Sequence, residues 1–186
     1  MNDDSMEPRP VRASRTTITE LMIPAYANFG GKIHGGILLS LMDKVAYACA
    51  SRHAGGYCVT VSVDAVDFLA PVDVGDLVSF MASVNYVGRT SLVVGIQVTA
   101  ENVQQAHVKH TNTSYFTMVA RDADGQPVIV PPLILETDDD IRRFVTAAER
   151  RKVHARVRKR MESYRNEFRV DERTKAALDR ERCVIA

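Results

Sequence analysis

The stretch ILLSLMDKVAYACA, from Ile37 to about Ala50, constrains this chain more than any other. Ile37, Leu38, Leu41, Met42, Val45, Ala46, Ala48 and Cys49 recur at helical spacing and cover most of the helix circumference. Ser40, Lys44, Tyr47 and Ser51 leave one narrow polar stripe. A helix that is apolar nearly all round has to be enclosed by other elements. Four of the nine residues before it, NFGGKIHGG (Asn28 to Gly36), are glycine, and Gly55-Gly56 closes it.

The rest of the first 137 residues reads as strands. RTTITELM (Arg15 to Met22) is β-branched and partly alternating, and Pro24 ends it. After the helix, Cys58 to Phe68 alternates Val59, Val61 and Val63 against Thr60, Ser62 and Asp64. Leu77 to Val87, Ser91 to Glu101 and Val108 to Arg121 follow. The breaks are Pro71, the Val74-Gly75-Asp76 turn, Asp124-Gly125, and Pro127, Pro131 and Pro132. Consecutive strands this close are expected to pair antiparallel. One sheet curled around one central helix is the economical way to cover that helix. The expected class is therefore α+β, with a polar outer sheet face that meets solvent or a second subunit.

Three regions are expected: a loose polar arm over 1–13, one domain over 14–136, and a helical tail over 137–186. In the tail Ile141, Phe144, Val145 and Ala148 repeat at helical spacing, and so do Val153, Val157, Met161, Tyr164 and Phe168, which makes one or two amphipathic helices. The net charge of +1 names no partner. Its distribution says more: from Asp138 to Arg182 there are 15 Lys/Arg against 10 Asp/Glu, leaving 9 against 13 elsewhere. The basic tail lacks aromatic interleaving and a known module, so nucleic acid is not an expected partner. No apolar run approaches the ~20 residues of a membrane span, and the N-terminus has no apolar leader core. Cys49, Cys58 and Cys183 form no CxxC, which fits a reducing, cytoplasmic setting.

The glycines at the helix mouth suggest chemistry. A helix N-terminus carries unpaired N–H groups and a partial positive charge, and glycine lets a ligand approach them. Gly35-Gly36 would suit a phosphate, or a carbonyl oxygen that becomes negative in a transition state. No phosphate-loop signature is present, which favours the carbonyl. The same glycines would also serve as a plain tight turn. Asp43 lies at the border of the apolar face, where a carboxylate is costly unless paired or used; Lys44 and Arg52 are its candidate structural partners. His34 reads first as a capping or packing histidine. GxSxG is absent, and His107 and His110 would point to opposite faces of a strand, so neither a serine triad nor a metal site is expected.

Together these residues resemble the hotdog-fold acyl-CoA thioesterases of the cytosolic acyl-CoA thioester hydrolase group. The resemblance rests on Asn28, Gly31, Ile33, His34, Gly35 and Gly36, then Leu41-Met42-Asp43, then TVSVDAVDFLAPVDVGD (Thr60 to Asp76), VGRTS (Val87 to Ser91) and HTNTSYFTMVA (His110 to Ala120). It covers about residues 15–135. It implies a hotdog fold, an antiparallel sheet wrapped around the central helix, here with a C-terminal helical extension. It implies hydrolysis of fatty acyl-CoA to free fatty acid and coenzyme A at a site between protomers of a homodimer, often assembled as a homohexamer, a trimer of dimers. Asn28 and Asp43 fall on the catalytic pair, supplied by opposite protomers, with Asp43 as general base or as a covalent acyl carrier. Gly35 and Gly36 fall on the carbonyl-polarising turn. Thr60 lines the site, with His34 beside it. Gly88, Arg89, Thr90 and Ser91 fall on the element that contacts coenzyme A. No metal or other cofactor is implied. Lys32 stands where many relatives have an acidic or polar residue, and the tail is long for the group. A hydratase or dehydratase of the same fold, using His34 with Asp43, and a non-catalytic acyl-CoA sensor are the alternative readings. Leu38, Met42, Tyr47 and Tyr86 are the expected determinants of acyl chain length.

Overall fold

The computed structural model describes residues 6–178 and 180–185. In chain order these form β1 (Arg9–Pro10), α1 (Val11–Ser14), β2 (Thr16–Leu21), a 3-10 turn (Pro24–Tyr26), α2 (Gly35–Ala54), β3 (Cys58–Val63), β4 (Leu77–Val87), β5 (Ser91–Asn102), β6 (His107–Ala120), β7 (Leu133–Ile134), α3 (Asp138–Glu167) and α4 (Glu172–Leu178). The expected antiparallel sheet around one helix is present. The chain divides into two compact units, Met1–Ala147 and Ala148–Ala186.

In the first unit α2 is the core. Its Met42, Val45, Ala46, Cys49 and Ala50 are fully buried, beneath Phe80, Val84, Leu92, Val94, Ile96, Phe116 and Met118 from the inner faces of β4, β5 and β6. Alternate residues of a strand share a face, so three neighbouring strands lay rows of apolar side chains over one helix. Register shifts between Val84 and Tyr86, between Val98 and Thr99, and between Thr60 and Ser62 help the sheet to curl. His34 caps α2 at its start: the imidazole Nδ1 accepts from the Gly36 N–H at 2.9 Å. Gly55, at φ 75°, ends the helix in the left-handed conformation that suits glycine.

The strand order, β2-β4-β5-β6-β3, corrects one expectation. Cys58–Val63 does not pair with the strand that follows it. It crosses over and pairs antiparallel with β6. Beyond Val63 the ladder thins to single bonds, Asp64 N–H to Tyr115 O and Leu69 N–H to Thr111 O. That is why the alternation to Phe68 reads as one long strand. The crossover leaves β3 at an open sheet edge, with Val61 58% and Val63 43% exposed.

The N-terminal arm is a second correction. Residues 1–5 lie outside the described residues, but 9–13 are docked: Arg9 donates from Nη1 to the carbonyl of His53 at 2.7 Å, Val11 is buried, and β1 pairs parallel with β7. A cation at the C-terminus of α2 complements its dipole.

The start of α3 also belongs to the first unit. Thr137 Oγ1 accepts from the Asp140 N–H, and Asp140 Oδ2 accepts from the Thr137 N–H, a reciprocal cap that fixes the first turn. Phe144 packs on Tyr86 with ring centroids 5.0 Å apart. The unit boundary thus falls inside α3, eleven residues beyond the expected one at 136–137. The second unit holds the remainder of α3 and α4; the two apolar repeats of the tail, 141–148 and 153–168, run along the one helix α3, and α4 follows them.

Candidate functional site

The glycine-rich loop is a closed structure built around one side chain. Asn28 Oδ1 accepts from the N–H groups of Gly30 (2.9 Å) and Lys32 (3.2 Å). Its own N–H donates to Lys32 O at 2.7 Å, and Gly31 takes φ 76° to complete the turn. The loop is tied down at three points. Ile33 is buried and donates to Val72 O, His34 N–H donates to Tyr26 O, and Lys32 Nζ bonds Asp73. Lys109 bridges Asp73 at 3.2 Å and the buried Asp76 at 3.4 Å. The Lys32 hydrogen bond, reinforced by Lys109, holds the Asp73 carboxyl below the usual carboxylate range.

The loop delivers the chain to the N-terminus of α2, where intrahelical geometry leaves the first N–H groups without helix partners. The Gly36 N–H is taken by His34, and the Gly35 N–H lies one residue before it. A side chain at either position would crowd a neighbouring ring. A Cβ on Gly36 would lie 3.0 Å from the His34 ring, and one on Gly35 would lie 3.3 Å from the Phe68 ring.

Asp43 stands eight residues further on, about 12 Å along the helix at 1.5 Å per residue. It is exposed, not in the dry border setting expected of it. Its partner is neither Lys44 nor Arg52. Arg52 is turned to the Arg15 carbonyl, and Thr60 Oγ1 donates to Asp43 Oδ1 at 2.6 Å. Asp43, Lys44 and Tyr47 of α2 face Tyr57, Cys58, Val59 and Thr60 across an open groove of about 350 Å³. The rings of Tyr47 and Tyr57 meet at its end, 6.1 Å apart.

Strand register brings the VGRTS turn to the same end of the sheet. Thr60 pairs with Met118, Met118 with Leu92, and Leu92 with Val87. Three strand spacings, roughly 14 Å, therefore separate β3 from the turn at Gly88–Ser91. The turn is held rigidly: Gly88 N–H donates to Ser91 O at 2.7 Å, Ala120 N–H to Thr90 O, and Val130 N–H to Arg89 O. A Cβ on Gly88 would meet Ser91 Oγ at 2.8 Å, and the Arg89 side chain is exposed.

The chain thus joins Asp43 to Thr60 and keeps Asn28 in its own loop; among the described residues no hydrogen bond links Asn28 to Asp43. His34 and Asp43 are nine residues apart, about 13 Å along the helix, and His34 is spent on its cap. Two expected chain-length determinants also sit elsewhere. Tyr86 is turned to Phe144, and Met42 is fully buried with its sulfur 3.6 Å from the Asn112 amide. Reading the sequence missed Tyr57, the Lys109–Asp73–Asp76 anchor, and the buried Asn112 and Ser114 under the helix. The pattern Asn112, Ser114, Phe116, Met118, two apart on β6, was the available signal for that inward face. Among the described residues no group of three His, Cys, Asp or Glu side chains is placed to hold a metal ion.

Comparison with known proteins gives the family. Residues 30–107 match the family model described as the thioesterase superfamily. The chain is 44% identical over 146 residues to the protein VdlD of Helicobacter pylori, spanning 77% of this chain and 83% of that protein. It is 34% identical over 147 residues, 79% of this chain and 86% of the other, to an uncharacterized acyl-CoA thioester hydrolase, YkhA, of Bacillus subtilis. Among solved structures, an apo-hexameric acyl-CoA thioesterase superposes with TM-score 0.79 at 35% identity, over 81% of this chain and 97% of that one. The acyl-CoA hydrolase of Staphylococcus aureus, solved with butyryl coenzyme A, coenzyme A and coenzyme A disulfide, gives 0.75 at 32% identity over 86% and 96%. Variants of that enzyme with an asparagine, an aspartate or a threonine replaced by alanine have also been solved.

Proposed function

The chain belongs to the thioesterase superfamily, among its acyl-CoA thioester hydrolases, and from that membership we propose that it hydrolyses fatty acyl-CoA to free fatty acid and coenzyme A with Asp43 as general base. The observation that carries this reading is the Thr60–Asp43 hydrogen bond at the wall of an open groove. A carboxylate oriented by one hydroxyl and reachable from solvent can take a proton from water. The water oxygen attacks the thioester carbonyl carbon, the C–S bond breaks, and the departing thiolate receives the proton.

The Gly35 N–H, at the positive end of α2 and about 12 Å from Asp43 within one chain, comes to the reaction with Asn28 from a second protomer and stabilises the developing oxyanion. The Gly36 N–H joins it only if the His34 ring releases it, so His34 controls how many donors the oxygen meets. Asn28 directs its NH2 outward, since its oxygen is committed to the loop. It reaches the reaction from a second protomer: the open β3 edge, with exposed Val61 and Val63, suits pairing with a second copy of itself. Arg89 and its turn approach the phosphates of coenzyme A. The hexameric state of a similar thioesterase supports a trimer of such dimers. The residue types altered in the Staphylococcus aureus hydrolase, asparagine, aspartate and threonine, are those of Asn28, Asp43 and Thr60, which supports the reading. Coenzyme A enters as part of the substrate, and the setting is cytoplasmic. No helix among the described residues is long and apolar enough to cross a membrane. A hydratase reading would need the His34 ring as a free acid–base group, whereas its Nδ1 is engaged in the cap on Gly36.

The test is thiol release from acetyl- to palmitoyl-CoA. Hydrolysis peaking at one chain length is expected. No hydrolysis of any thioester by folded, oligomeric protein would overturn the reading. The loop anchor supplies a second expectation. Asp73→Ala removes the partner of Lys32 from a largely exposed ion pair worth ~1 kcal/mol or less. It should leave the melting temperature nearly unchanged yet lower kcat by about tenfold, through a loosened Asn28. Unaltered kcat would show that the loop needs no such tether.

A further inference from the structure

The part of α3 in the second unit carries an apolar stripe that no other described element of that unit covers. Val153, Val157, Met161, Tyr164 and Phe168 are each 41–59% exposed. At 100° per residue they fall within an arc of about 80°. Phe168 extends the helix by one more turn bond, its N–H donating to Tyr164 O at 2.9 Å, and the two rings pack 5.5 Å apart. Arg158 and Arg165 line one edge of the stripe, Arg156 and Arg160 the other. Over residues 148–169 there are nine Lys/Arg against three Asp/Glu, a local +6. Of the acidic residues, Glu162 faces away from the stripe, and Glu149 and Glu167 lie on the Arg156 side.

We propose that this segment is an interfacial helix that seats on the surface of an anionic lipid membrane. The helix is too polar to span a bilayer, but a narrow apolar stripe bordered by arginines is the pattern that lies in the headgroup plane. The aliphatic and aromatic side chains enter the acyl boundary. The arginine stems run along it, with their guanidinium groups at the lipid phosphates. Each cation near such a surface adds about 1 kcal/mol of attraction, so a local +6 is a substantial electrostatic term.

Charge argues against the other occupants. The spacing of Val157, Met161, Tyr164 and Phe168 would permit pairing with a second copy of the helix. In a parallel pair, however, Arg160 would face the copy's Arg165, and in an antiparallel pair Arg158 and Arg165 would face their own kind. A nucleic acid would meet the cations but leave five apolar side chains in water. The proposal does not depend on the hydrolase reading.

The test is flotation of the full chain with vesicles of phosphatidylcholine alone, or with phosphatidylglycerol at about one lipid in three. Binding is expected only to the anionic vesicles, weakening steeply with salt. Met161→Asp with Phe168→Asp should reduce partitioning by more than about tenfold, since both side chains then leave the acyl boundary. Arg156→Glu with Arg160→Glu should also reduce it. Sedimentation should show the assembly mass of both double variants unchanged. Failure to float with anionic vesicles would overturn the proposal. So would binding that survives the stripe variant and is displaced by duplex DNA or by RNA, which would make the helix a nucleic-acid surface. A lower assembly mass in the stripe variant would make the occupant a second copy.

Discussion

Replacing Asp43 by alanine is expected to lower kcat for acyl-CoA hydrolysis by roughly 10²–10⁴-fold, with the melting temperature within a few degrees of the parent. The asymmetry follows from where the residue sits. Asp43 is exposed on α2, and among the described residues its side-chain partner is Thr60. Losing one such hydrogen bond at the surface costs about 0.5–1.5 kcal/mol, while losing the proton acceptor removes a step of the reaction. Asp43→Asn keeps the shape and the Thr60 bond but not the basicity, and should be nearly as inactive. Turnover close to the parent's in either folded variant would sink the assignment.

Asn28→Ala and Asp43→Ala are each expected to be nearly inactive alone, yet to recover about a quarter of the parent activity when mixed under conditions that reassort protomers. Within one chain the two side chains occupy separate structures, one closing a loop and the other held by β3. If each site draws Asp43 from one protomer and Asn28 from its partner, a mixed dimer has one complete site and one site with neither residue. Random reassortment makes half the dimers mixed, which gives the expected fraction. No recovery on mixing, with subunit exchange shown by mass, would mean that the two residues do not complement across protomers.

Much of this was legible in the chain itself, for identifiable reasons. A helix apolar all round, followed by alternating segments, admits few architectures, so the wrapped helix followed from burial alone. The bounds of β4 and the onset of β5 were readable because turn residues flank them. The position of β3 was not, since side-chain alternation says which face is inward but not which neighbour supplies the hydrogen bonds. Only the 64–76 crossover decides that, by carrying the chain from the β3 edge past β6 and β5 to β4, which lies inside the edge strand β2. At the site, the residue types at positions 28, 43 and 60 stood out through the resemblance. The Thr60–Asp43 bond depended on a helix and a strand meeting at one register, which no local pattern encodes. His34 and Gly36 were each noticed, but their bond needed the actual helix start. The Lys109 anchor joins residues 36 apart and left no trace in sequence spacing.

The closed loop at Asn28 has a consequence for the polarity of what it offers a substrate. Two backbone N–H groups claim the carboxamide oxygen, so the side chain can turn only its NH2 outward. The same contacts that fold the loop therefore leave this side chain hydrogen bonds to give. Under the proposed function, that suits a carbonyl oxygen or the lone pair of a water. Folding and recognition are here a single decision, made before any ligand arrives.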